Sequence, residues 1–157
     1  MAEPGAQAFD ETTVLASLDR RFARLHFLLI QTIQNTPDRQ LYRHNPESSR
    51  SVAESVLRAA AAVEQTFGGI SANLWDDPFE WTLPEQLTTG AAIIAHLSEV
   101  EAMRQRVFAS ITADSLLQKQ VATPTGISRL GELLDQTLSR ALQYHEQAQL
   151  GLEMPFR

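Results

Sequence analysis

Residues 127–152 read ISRLGELLDQTLSRALQYHEQAQLGL. Apolar side chains recur at three- and four-residue steps, at Ile127, Leu130, Leu134, Leu138, Ala141, Ala148 and Leu152, with His145 on the same line. That step matches one face of an α-helix, whose turn takes about 3.6 residues. At about 100° per residue His145 is in phase with Ile127, and Gln149 lies about 40° from the same line. The stretch therefore predicts a long helix, from near Ser128 to about Leu152, that turns an imidazole toward an apolar interior. Gly131 inside it costs about 1 kcal/mol relative to alanine, which points to a close approach by another segment.

Three further stretches carry the same period. Val14, Leu18, Phe22, Leu25, Leu29 and Ile33 mark a first helix, opened by Asp10 as N-cap and closed near Pro37, with residues 1–9 a loose lead-in. Ser51 and Glu54 form a capping box, in which hydroxyl and carboxylate satisfy each other's free backbone amides. It opens a second helix through Val52, Val56, Ala59, Val63 and Phe67, which Gly68-Gly69 is expected to stop. Thr82, with Pro84 and Glu85 in the first turn, is read as the start of a third helix through Ile93, Leu97, Val100, Val107 and Ile111.

The connectors differ in character. Residues 70–83 hold Trp75, Phe79 and Trp81 around an Asp76-Asp77-Pro78 turn, so the rings either close the core or lie over an open end of it. Residues 113–126 allow a helical turn at Ser115–Gln120 before Pro124 and Gly126 break it. Four amphipathic helices without strand-like alternation give an all-α fold, an antiparallel four-helix bundle, with residues 10–157 as one domain.

Composition narrows the function classes. The 157 residues carry a formal net charge of −6, against the basic surface on which a general nucleic-acid binder depends. There is no cysteine, which removes disulfides, thiolate metal sites and cysteine nucleophiles. Apolar runs such as Phe27–Ile30 and Ala91–Ala95 are too short to span a bilayer, and Met1–Phe9 has no signal-peptide pattern, so the expected location is cytoplasmic, with no membrane partner.

Four histidines are the candidates for acid–base or metal chemistry near neutral pH. His145 is expected inside, His96 within the apolar arc of the third helix, His26 at a stripe edge and His44 in solvent. An inward histidine is either a hydrogen-bonded core residue or a ligand or base in a cavity. No His-x-x-x-His, His-Glu-x-x-His or Glu-x-x-His pair is present, whereas zinc takes at least three protein ligands. Glu101 is expected to pair with Arg104 or Gln105 at the helix boundary. Phosphate-binding glycine loops and nucleophile elbows are absent.

Ser51-Val52-Ala53-Glu54, followed by Arg58 and Glu64, resembles the second-helix region of the DinB-like superfamily. Thr123-Pro124-Thr125-Gly126 before the last helix, and His145-Glu146-Gln147-Ala148-Gln149-Leu150-Gly151 within it, are similar to that family's later motifs. The resemblance follows nearly the whole chain in helix order. It implies a four-helix bundle of metal-dependent transferases and related proteins, with a metal triad at the positions held here by Arg58, His145 and Gln149. Only one of these is histidine, and a protonated guanidinium has no lone pair for a metal. The expectation is therefore a protein without the usual family metal, whose inter-helix pocket near Arg58, His96, His145 and Gln149 takes a small-molecule ligand.

Arg58 has two readings, a boundary residue about 120° from the Val52–Val56 face or a fork of donors for a carboxylate or phosphate. Two alternatives stand beside the ligand-binding protein. One is a metal-dependent transferase or hydrolase in which His145, with His96 or Gln149, holds zinc or nickel. The other is a non-catalytic interaction module that forms a homodimer.

Overall fold

The computed structural model describes residues 6–44, 50–80 and 86–153. They form α1 (Ala6–Gln34), a 3-10 turn (Asp38–Gln40), α2 (Val52–Ala72), a second 3-10 turn (Pro78–Glu80), α3 (Gly90–Phe108), α4 (Ala113–Gln118), the strands β1 (Gln120–Thr123) and β2 (Gly126–Arg129), and α5 (Leu130–Glu153). The chain is thus mostly helical. Among the described residues no helix is long and apolar enough to cross a membrane.

The stripes read from the sequence supply the core. Leu18, Phe22, Leu25, Leu29 and Ile33 of α1 are buried against Val56, Ala59, Val63 and Phe67 of α2, Ile93 and Leu97 of α3, and Leu130, Leu134 and Leu138 of α5. Burial of such faces is the main term favouring the fold. α2 is apolar around most of its circumference, and its Ala59–Ala62 run lets neighbours approach closely. It packs chiefly on α5 and α3, while α1 packs on α3 and α5. Phe22, Phe67 and Phe108 meet at the centre, the first two edge to face at 5.3 Å.

Arg104 is only 1% exposed and lies over Phe22 and Phe108. Its guanidinium donates to Glu101 at 2.6 and 3.0 Å and to Asp19 at 2.7 Å. The expected Glu101–Arg104 pair is present, but it is a buried cation with two carboxylates rather than a boundary pair.

Several ends lie elsewhere than expected. α1 begins at Ala6, so the anticipated lead-in of residues 1–9 overlaps its first turn; residues 1–5 fall outside the described part. Val14 is 48% exposed and leaves the first stripe. The capping box at Ser51 and Glu54 opens α2 as anticipated, but Gly68-Gly69 does not stop it. The helix continues to Ala72 and ends on Asn73, in the left-handed conformation at φ 55°. α3 starts at Gly90 behind Thr89, whose hydroxyl accepts from the Ala92 amide at 3.2 Å; the anticipated start at Thr82–Glu85 lies outside the described residues. The Gly90 amide donates to Asp38 Oδ1 at 2.9 Å, where a Cβ would crowd that oxygen.

Residues 120–129, read as the end of a connector and the start of the last helix near Ser128, pair as an antiparallel hairpin around Pro124-Thr125, with Gly126 at φ 133°. Strands of four residues are too short to show an alternation. Ile127 belongs to this hairpin and is 73% exposed, so it is not part of the α5 stripe. Gly131 does serve a close approach: a Cβ there would sit 3.0 Å from the Leu116 carbonyl oxygen of α4.

Candidate functional site

The residues singled out in the sequence separate into three places. Inside the core, α5 presents His145 and Gln149 to Thr32 of α1. Gln149 Nε2 lies 2.8 Å from Thr32 Oγ1 and 3.2 Å from His145 Nε2, and Thr32 Oγ1 is 3.3 Å from the same ring nitrogen. The amide donates to both, so Nε2 is the accepting nitrogen and the ring proton sits on Nδ1. Thr32 in turn donates to the Leu28 carbonyl at 2.9 Å. His145 is 9% exposed, and burial pushes its pKa below the ordinary imidazole value, with Glu146 pulling in the opposite direction. The imidazole is a neutral, hydrogen-bonded core residue.

His96 of α3 does not join it. His96 is half-buried; burial pushes the Glu64 carboxyl's pKa up, the charge of His96 draws it down, and the nearby Glu99 pushes it up. Burial wins, and the Glu64 carboxyl is raised overall; its Oε2 is shielded from solvent and has no hydrogen-bond partner among the described residues. His26 is half-buried beside Glu101, and His44 is exposed.

Arg58 occupies the third place, a groove between α2 and α5. Its guanidinium stacks over the Phe79 ring at 4.1 Å from the centroid. Its Nε is shielded from solvent and has no hydrogen-bond partner among the described residues. Arg58, Gln65, Asp77, Phe79, Arg140 and Tyr144 enclose a cleft of about 70 Å³. Asp77 Oδ1 accepts from the Phe79 amide at 3.0 Å and so holds its own loop. Neither Arg58 nor Arg140 has a carboxylate within 4.0 Å among the described residues. Gln65 and Arg140 also line a larger cleft of about 590 Å³ between Trp75, α5 and the hairpin.

The positions that the resemblance assigns to a metal triad hold Arg58, His145 and Gln149. Arg58 offers no lone pair and stands in a separate cleft from the His145–Gln149 pair, whose amide nitrogen already engages the imidazole. These residues do not fit a three-ligand metal site of that kind. Another groove, about 620 Å³ between α1, α4 and α5, has Val14, Leu18, Leu116 and Leu117 in its walls, and its Arg21 and Asp135 lie 3.6 Å apart. Its chemistry is mostly apolar, with that charge pair neutralised internally.

The sequence reading missed Arg140, Tyr144 and Gln65 as site residues. Arg140 and Tyr144 stand one turn apart on α5, and Arg58 and Gln65 two turns apart on α2, so each pair shares a face. Which two faces meet is a tertiary fact that neither helix encodes alone. Comparison of the chain with family models, with curated proteins and with solved structures gives no match.

Proposed function

We propose that the chain is a DinB-like four-helix bundle, built from α1, α2, α3 and α5, that binds a small anionic ligand in the α2–α5 groove through Arg58 and Arg140 and does so without the metal usual for that family. The bundle reading is supported by the pairing of α2 with α3 and α5 and of α1 with the same two helices. The family reading is supported by helix order, by the capping box at Ser51 and Glu54, and by the inward His145.

The observation that carries the ligand class is the pair of guanidiniums in one cleft, neither matched by a carboxylate, in a protein of net charge −6. A guanidinium fork binds carboxylate or phosphate oxygens through charge-assisted hydrogen bonds. Phe79 holds the Arg58 plane before any ligand arrives, which reduces the ordering cost on binding.

Thermal unfolding in sodium phosphate and in sodium chloride of equal ionic strength tests the proposal. A bound anion raises the midpoint with concentration, by mass action on the native state. Phosphate is expected to raise it above chloride in the native sequence and not in Arg58→Met or Arg140→Met. An equal response to both salts, or a phosphate response retained in both variants, contradicts the reading.

A further inference from the structure

We infer that the ligand of the α2–α5 groove is a sugar phosphate, its phosphate held by Arg58 and Arg140 and its hydroxylated body lodged in the adjoining cleft under Trp75. The inference rests on the anion-binding reading of this groove and adds the class of molecule.

The first argument is size. The arginine end measures about 70 Å³, room for a phosphate group and little else. The adjoining compartment measures about 590 Å³, within the range of sites that enclose whole small molecules. Arg140 and Gln65 line both, so the two clefts adjoin, and the proposal places one ligand across them.

The second argument is the chemistry of the larger wall. Some hydroxyls are already engaged: Thr66 and Thr137 bond each other at 2.6 Å, and Thr123 donates to the Gly126 carbonyl at 2.7 Å. Gln136, Glu132 and Arg140 line the cleft and have no hydrogen-bond partner among the described residues. These are planar groups that can grip adjacent hydroxyls: Arg140 donates, Glu132 accepts, and the Gln136 amide does both. An apolar body in their midst would strip water from them without replacing it, which is costly. A second anionic body would meet Glu132. A neutral polyol satisfies donors and acceptors alike, and its C–H face suits an indole.

The third argument is that the indole is fixed in place. Trp75 rests on Gly69, its Nε1 donates to Asn73 Oδ1 at 2.9 Å, and its carbonyl accepts from Gln65 Nε2 at 2.7 Å. Gln65 thereby ties the platform to the anion end. A platform built in advance spares the ordering cost on binding.

The test uses the full chain carrying Trp81→Phe, which leaves Trp75 as the sole tryptophan. Glucose 6-phosphate, ribose 5-phosphate, ethyl phosphate and inorganic phosphate are titrated, with Trp75 fluorescence and calorimetry as readouts. The better sugar phosphate is expected to bind at least tenfold more tightly than inorganic or ethyl phosphate and to change Trp75 emission. Gln136→Ala is expected to weaken it at least fivefold and to leave the inorganic phosphate affinity unchanged. If all four phosphates bind equally and depend on Arg58, or if ethyl phosphate is preferred, the sugar class is overturned while the anion site stands. If no phosphate binding depends on Arg58, both fall together.

Discussion

Trp75 lies on α2 directly over Gly69, so closely that a Cβ on that glycine would overlap the indole ring. Of the glycine pair that reads as a helix stop, Gly69 is a seat for the connector's tryptophan. Gly69→Ala brings two opposed effects. Alanine favours the helix by about 1 kcal/mol, whereas forcing a methyl into a filled contact costs about 1–3 kcal/mol. The overlap is with a rigid ring, so the second effect is expected to win. Urea unfolding is expected to show a net loss of about 1 kcal/mol, and Trp75 emission to move toward that of a solvated indole. Gly68→Ala, whose Cβ would stand 3.3 Å from the Leu74 carbonyl oxygen, is expected to change stability far less. Equal effects at the two glycines would remove this account of the seat.

Legibility in the sequence followed the range of the interaction. The apolar faces of α1, α2, α3 and α5, the Ser51–Glu54 box, the inward His145 and the close approach at Gly131 all rest on local periodicity or local chemistry, and all were readable. The hairpin was not, because four-residue strands carry too little pattern. The end of α2 was misplaced because a glycine pair serves a tertiary contact there, while Asn73 supplies the left-handed cap. The site was half legible. Arg58 was singled out, but its partners Arg140, Tyr144 and Phe79 come from other elements, and only packing brings them together. His96 and His145 lie within apolar arcs of their own helices, yet only His145 is hydrogen-bonded to Thr32 of α1 and to Gln149 among the described residues.

Arg104 anchors the core through charge. Its removal leaves Glu101 without its cation and opens space beside Phe22 and Phe108. Arg104→Ala is expected to cost about 3–5 kcal/mol, the usual effect of breaking a buried pair from one side. Asp19→Ala, which removes an exposed partner, is expected to cost about 1 kcal/mol or less. Denaturant titration of both variants checks the order, and a loss at Asp19 equal to that at Arg104 would contradict it.

His145 gives stability a pH dependence of defined sign. Its pKa is lowered in the folded state, so the unfolded chain binds this proton more readily. Stability is fully retained above the ordinary value of 6.5 and is lost as pH falls from there through the folded value. Denaturant unfolding between pH 8 and pH 5 is expected to show a drop in the native chain that is smaller in His145→Gln. Parallel curves for the two proteins would show that the imidazole is not desolvated as described.

Glu64 acts with the opposite sign. Its pKa is raised by burial, so the folded state holds the proton more tightly, and stability falls as pH rises from the ordinary 4.5 through the folded value. Glu64→Gln keeps the shape and removes the charge. The variant is expected to be more stable than the native chain at pH 7 and to lose that advantage near pH 4. A variant less stable at pH 7 would mean that the carboxylate is satisfied by a contact with His96 strong enough to outweigh its burial.

The central claim is that Arg58 and Arg140 act together on one anion. Calorimetric titration of inorganic phosphate into the native chain, Arg58→Met, Arg140→Met and the double variant measures that directly, because methionine retains much of each stem's packing. The expected result is binding in the native chain, a loss of at least tenfold in each single variant, and little further loss in the double. Undiminished affinity in both single variants would place the anion elsewhere and contradict the account.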